Sequence, residues 1–221
     1  MTMELGLLLL ESVLLAATVA LLVYGIREGK QRYRLLEEVG KATKVFMRQE
    51  YFLSLMDAML DAQREIVGCI TGRPPLGDDI KTTRNIVDAI AKMSAKGVRI
   101  MYLLPKFPDR LPIGIRYTKA GAEVRFSSCL MVHNIRFTVV DERIVVLGIP
   151  ESVGEREATK KGYRIPSEGL ALVLKNYFNT CEKQATLREY LREVIEQTGA
   201  TPEHLAREFG VDETALKAFL T

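Results

Sequence analysis

The sequence predicts an α/β fold: a mixed sheet flanked by helices, preceded by one transmembrane helix and followed by a small helical tail. Three observations carry this. Leu5 to Ile26 is almost wholly apolar. Between Glu65 and Leu174, short β-branched runs alternate with stretches of helical periodicity. From Ala185 onward only helical patterns remain. The expected divisions are an anchor at 1–27, a juxtamembrane helix at 28–50, the α/β domain at 51–184 and the tail at 185–221.

The apolar N-terminal run is long enough, at about 1.5 Å per residue, to cross a hydrocarbon core of about 30 Å. Its flanks separate an anchor from a cleaved signal peptide, which would carry cations first and a small-x-small site after a shorter core. Here Glu4 precedes the span, and Arg27, Lys30, Arg32 and Arg34 follow it. That asymmetry predicts a single-pass protein of the cell membrane with its C-terminal part in the cytoplasm. Glu11 is near enough to the outer end to reach the interface. Ala16 and Ala20 form a small-xxx-small pair that would let two helices approach.

From Glu28 to about Gln63 the pattern is helical, with Leu35, Val39, Ala42 and Phe46 at heptad-like steps. The stripe suits a dimer seam or a face packed on the next domain equally well. Glu65–Thr71 is a short buried strand, and Asp78-Asp79 opens a helix through Ile86, Val87, Ile90 and Met93 that Lys96-Gly97 closes. Val98–Leu104 is a second buried strand, 105–112 a loop, and Ile113–Gly121 a helix. Strands follow at Glu123–Ser127, Asn134–Val140, Ile144–Gly148 and Leu170–Leu174, with Asp141-Glu142 as a tight acidic turn.

The net charge of +3 is too small to argue for nucleic acid by itself. Cys69, Cys129 and Cys181 are far apart, and none forms a C-x-x-C pair. The expectation is reduced, buried thiols, with no metal site and no cofactor.

The stretch Asn134-x-Arg136-x4-Asp141, with Gly148 six intervening residues later, resembles the signature half of the phospholipase D family, H-x-K-x4-D followed by G-S-x-N. The phrases Ala95–Leu104, Lys119–Arg125, Ser167–Leu174 and Tyr177-Phe178 also resemble that family, so the likeness runs from about Tyr51 to Glu182. In the family the histidine attacks phosphorus, the lysine and asparagine bind phosphate oxygens, and the aspartate orients an imidazole. Asn134 stands at the histidine position, and an amide nitrogen has no basic lone pair. Arg136 keeps a cation able to grip phosphate in a bidentate way. Ile149 and Glu151 replace the serine and asparagine. The resemblance therefore implies a scaffold that binds without hydrolysing. Members with one motif copy complete their site as homodimers, so a homodimer is expected.

His133 is the rival nucleophile. On a strand it would face away from the side Asn134 faces, and an ordinary histidine on the other sheet face is the simpler reading. The loop Ser152–Pro166 carries Arg156, Lys160, Lys161 and Arg164, which suit a phosphate ligand, anionic lipid heads or plain solvent.

In the tail, Thr201-Pro202 reads as N-cap and first helical residue. Ala206, Gly210 and Leu216 fall at diagnostic positions of a helix-turn-helix. Its charge is wrong for DNA: from 187 to 221, Arg188, Arg192, Arg207 and Lys217 face seven acidic residues, 4 − 7 = −3. A packing or protein-interaction module is expected, with a membrane-tethered DNA-binding regulator as the remaining alternative. The enzymatic alternative is a divergent phosphodiesterase, a lipase or nuclease, using His133.

Overall fold

The computed structural model describes residues 13–27, 29–30, 44–75, 77, 79–129, 132–133, 135–150 and 159–220. It divides into two units, Met1–Lys41 and Ala42–Thr221.

In the first unit, residues 13–27 form a helix (α1). Its apolar side chains, from Val13 to Ile26, are 51–72% exposed. A helix apolar all round has no soluble face to present. Among the described residues no helix is long and apolar enough to cross a membrane, and residues 5–12 of the expected span lie outside them.

The second unit is built on an eight-stranded mixed sheet. Its strands are β1 (Lys44–Met47), β2 (Glu65–Cys69), β3 (Arg99–Pro105), β4 (Glu123–Ser127), β5 (Arg136–Val140), β6 (Ile144–Pro150), β7 (Thr159–Pro166) and β8 (Ala185–Thr186). They lie in the order β1-β7-β6-β5-β2-β3-β4-β8. β2, β3 and β4 run parallel, joined by the helices α3 (Asp79–Ala95) and α4 (Leu111–Lys119). β5 pairs antiparallel with β2, and β6 and β7 continue as a meander.

One sheet face carries Ile66, Tyr102, Phe126, Val140 and Val146, packed under α2 (Arg48–Leu60), α3 and α4. α3 lays Ile86, Ala89, Ile90 and Met93 on this core, the i, i+3, i+4, i+7 spacing of a buried helix face. Each such side chain contributes about 1.5–3 kcal/mol by leaving water. The other face is covered by α5 (Glu168–Thr180), whose buried residues are Ala171, Leu174 and Phe178.

The tail forms α6 (Leu187–Thr198), α7 (Pro202–Phe209) and α8 (Glu213–Leu220). Leu187, Tyr190, Leu191, Leu205, Phe209 and Leu216 join the same core as the sheet, so the tail packs onto the α/β body. Thr201 caps α7 by accepting a hydrogen bond from the His204 N–H at 3.3 Å.

Four expectations change. Leu170–Leu174 is helical, inside α5, because Ser167 accepts a hydrogen bond from the Leu170 N–H and starts a helix there. The long juxtamembrane helix does not run through: Lys44–Met47 is an edge strand paired with β7. Of the heptad-like stripe, Leu35, Val39 and Ala42 lie outside the described residues. The second half of the basic loop, from Thr159 to Pro166, is strand β7. Finally, Cys129 and Cys181 form a disulfide, and only Cys69 is a free, buried thiol.

Candidate anion-binding site

In open α/β sheets ligands collect at the carboxyl ends of the parallel strands, where the chain leaves the sheet as loops. Here that end gathers the turn after β2, the loop after β3, the segment after β4 and the start of β5. Arg136, the first residue of β5, stands opposite Gly148 of β6. Gly148 in turn pairs with Gly162 of β7, so the row beside Arg136 has no side chains. α2 uses the space. A Cβ on Gly162 would lie 2.0 Å from Cδ2 of Tyr51.

Arg136 is 8% exposed. It is close enough to Tyr51 to favour the phenolate, but burial dominates and pushes the Tyr51 phenol up to about 12.

Two further arginines converge on this end. Arg110 closes a short 3-10 turn, Pro108–Arg110, and is also 8% exposed. Its Nη1 pairs with Asp109 Oδ2 at 2.9 Å, while its Nε is buried without a hydrogen-bond partner. Its Cζ lies 5.6 Å from the centre of the Phe107 ring. Gly72 passes close by, its notional Cβ 2.4 Å from Leu104 Cδ2 and 3.7 Å from Arg110 Cβ. The next residue is Arg73. Burial pulls the Arg110 guanidinium below its usual value; Asp109 opposes this, and Arg73 and Arg136 add to it. Arginine stays charged regardless, and most of the depression comes from burial, with the neighbouring arginines as smaller contributors.

His133 belongs to this neighbourhood, which corrects the strand-alternation reading. Val132 and His133 lie in a helical turn ahead of β5, not on a strand, so no rule of alternate faces applies. The His133 ring meets Phe107 edge-on at 5.3 Å. The segment is held by the Cys129–Cys181 disulfide and by Ser127, whose Oγ accepts from the Cys129 N–H at 3.1 Å.

Asp141 is elsewhere. It follows the far end of β5, five residues and about 17 Å of strand from Arg136. Its carboxylate accepts from the backbone N–H groups of Gln63 (2.8 Å), Arg64 (2.8 Å) and Glu65 (2.9 Å). Asp141 and Glu142 both have positive φ, 52° and 56°, so the acidic pair forms the β5–β6 turn. Partial burial works to raise the Asp141 pKa, but the three backbone bonds and the Arg64 guanidinium win and hold it below the usual carboxylate value. At this same end Glu65, buried, is paired with Lys175 and with Arg99 at 2.8 Å.

Arg164 stands on β7, opposite Val146. Lys160 and Lys161 also fall on β7, but their side chains, together with Asn134 and Arg156, lie outside what the structure describes, as do Glu151 and the side chain of Ile149. The structure thus brings together Arg136, His133 and two arginines that sequence reasoning passed over, Arg73 and Arg110. The available signal was position: each follows the carboxyl end of a parallel strand.

No family profile and no curated protein matches this sequence. Solved structures to which this chain is similar include NucT from Helicobacter pylori, 16% identical over 63% of this chain and 94% of that one, with a TM-score of 0.48. Nuc from Salmonella typhimurium, a phospholipase D family member, is 13% identical over 66% and 97%, with a TM-score of 0.49. TrmBL2, an archaeal chromatin protein with a novel mode of DNA binding, is 20% identical over 72% of this chain, with a TM-score of 0.47; the chain spans 63% of its length. At such identities and TM-scores the likeness carries no reaction over to this chain.

Proposed function

We propose that this chain is a membrane-anchored, phospholipase D-like binding protein that takes up a phosphate-bearing ligand and does not hydrolyse it. The observation that carries the reading is the placing of three arginines at the carboxyl ends of β2 and β3: Arg136 stands one residue before the Phe137–Cys69 pair, and a Cβ on Gly72, the residue before Arg73, would lie 3.7 Å from Arg110 Cβ. Guanidinium groups suit phosphate by bidentate geometry, and burial strengthens such contacts at Arg110 and Arg136. Arg156, Lys160, Lys161 and Arg164 extend the basic character of the sequence that follows β6. Asn134 in the place of a nucleophile supports binding over turnover.

The exposed apolar surface of α1, continued by the apolar sequence 5–12, supports the anchor. The cations after it favour a cytoplasmic domain. On that side the Cys129–Cys181 bond must withstand a reducing pool, as intracellular disulfides of hyperthermophiles do. A homodimer, through the membrane helix or the 35–46 stripe, is part of the proposal. The tail serves packing rather than DNA: Lys217, the cation of the presumptive recognition helix α8, is held at 2.7 Å by both Glu203 and Glu213.

The test is calorimetric titration of the full chain in detergent with inorganic phosphate. Saturable binding, lost in Arg136→Gln, is the expected result, and no binding in the parent protein sinks the reading. A second reading, a divergent phosphodiesterase, draws on the place of His133 beside Phe107 at the same end. Turnover of a generic phosphodiester that is lost in His133→Ala and kept in Asn134→Ala would establish it in place of the first.

A further inference from the structure

A cleft of about 620 Å³ opens beside Arg110, between the loop after β3 and the tail; Pro74, Phe107, Asp109, Arg116 and Glu208 are among its walls, and Arg73, Arg110 and Arg136 are not. Two of those walls touch Arg110, and a third adjoins Arg73 in the sequence. Pro74 follows Arg73 in the chain. Asp109 Oδ2 is 2.9 Å from Arg110 Nη1. The Phe107 ring lies 5.6 Å from Arg110 Cζ, is 44% exposed, and forms one face of the cleft. We infer that the ligand is a nucleoside monophosphate, its phosphate on the cluster of Arg73, Arg110 and Arg136 and its base in this cleft against Phe107. The inference rests on the phosphate-binding reading above and deepens it.

The lining selects among phosphate esters. A lipid tail would set the Arg116 guanidinium and the Glu208 carboxylate, 4.0 Å from His204, against hydrocarbon, which is costly for charge. A sugar phosphate alone would not use an exposed aromatic face backed by prolines. A nucleobase uses both parts: its flat face stacks on Phe107, and its ring N–H and amino groups donate to a carboxylate. The volume suits a ligand of that size. Glu208, on α7, brings the tail into the site, which gives the packed helices a part in recognition.

The experiment is calorimetric titration of the full chain in detergent with guanosine monophosphate, inorganic phosphate and micellar phosphatidic acid. The nucleotide is expected to bind about fivefold or more tightly than inorganic phosphate, the gain that stacking of one base supplies. Phe107→Ala is expected to weaken the nucleotide several-fold more than it weakens phosphate. Phe107→Leu, which keeps the bulk without the π face, should repeat that ratio and guards against misfolding. Equal affinity for nucleotide and phosphate, a ratio unmoved in Phe107→Leu, or preference for phosphatidic acid overturns this inference while leaving phosphate binding intact. No binding of any of the three overturns the phosphate reading as well.

Discussion

Asp141 offers the sharpest separation of fold from chemistry, because it occupies the motif position yet sits at the wrong end of β5 for the site. Replacing it with alanine removes the acceptors of three backbone N–H groups, those of Gln63, Arg64 and Glu65. A buried donor left unmet costs about 1–3 kcal/mol. The carboxylate is only partly buried, so water takes over some of that demand, and about 2 kcal/mol in total is a fair allowance. Alanine at φ 52° adds about 1 kcal/mol, a conformation that Asp and Asn tolerate better. Asp141→Ala should therefore lose about 3 kcal/mol, and Asp141→Asn, which keeps one acceptor and the tolerance, about 1 kcal/mol. Urea unfolding followed by far-ultraviolet circular dichroism reads both. The carboxyl pKa is depressed in the folded protein, so its contribution is complete above the unfolded value of about 3.9 and disappears as pH falls through the lower, folded value. Asp141→Asn should flatten that acid limb. Phosphate affinity should hold in both variants. Unchanged stability combined with lost binding would return Asp141 to the site and refute the assignment.

Replacing Cys129 and Cys181 with serine opens a loop of 52 residues and should cost about 4 kcal/mol by chain entropy; a reductant should do the same to the parent protein. Gly162→Ala drives a methyl into the Tyr51 ring and should cost about 3 kcal/mol in the same unfolding assay, with overpacking as the cause. Tyr51 should ionise near pH 12 in an ultraviolet titration. Because its folded pKa is the higher one, the stability it contributes is complete below about pH 10 and is lost as pH rises toward 12. At low salt the full chain should not retain duplex DNA. Salt-sensitive binding that vanishes on deleting 199–221 would overturn that.

Much of the sheet was legible in the sequence because its signals are local. The stop at Lys96-Gly97 and the runs that became β3 and β4 needed only their own residues. Leu170–Leu174 went astray because a short apolar run fits a buried strand or a buried helix equally well; Ser167, the cap, was the residue that decided. His133 was misplaced by applying strand alternation to a helical turn. Arg73 and Arg110 are a different kind of miss. They come from separate loops, and only the parallel order of β2 and β3 brings them to Arg136. The Cys129–Cys181 pair was hidden for the same reason, since neither cysteine has a local motif.

That disulfide makes a covalent ring of the chain from 129 to 181, enclosing β5, β6, β7 and α5. A single peptide bond broken anywhere inside the ring yields two pieces that still migrate together until a reductant is added. Arg136 and the tail helices beyond Cys181 would then stay on one molecule, and such a nick would remain silent in any assay run without thiols.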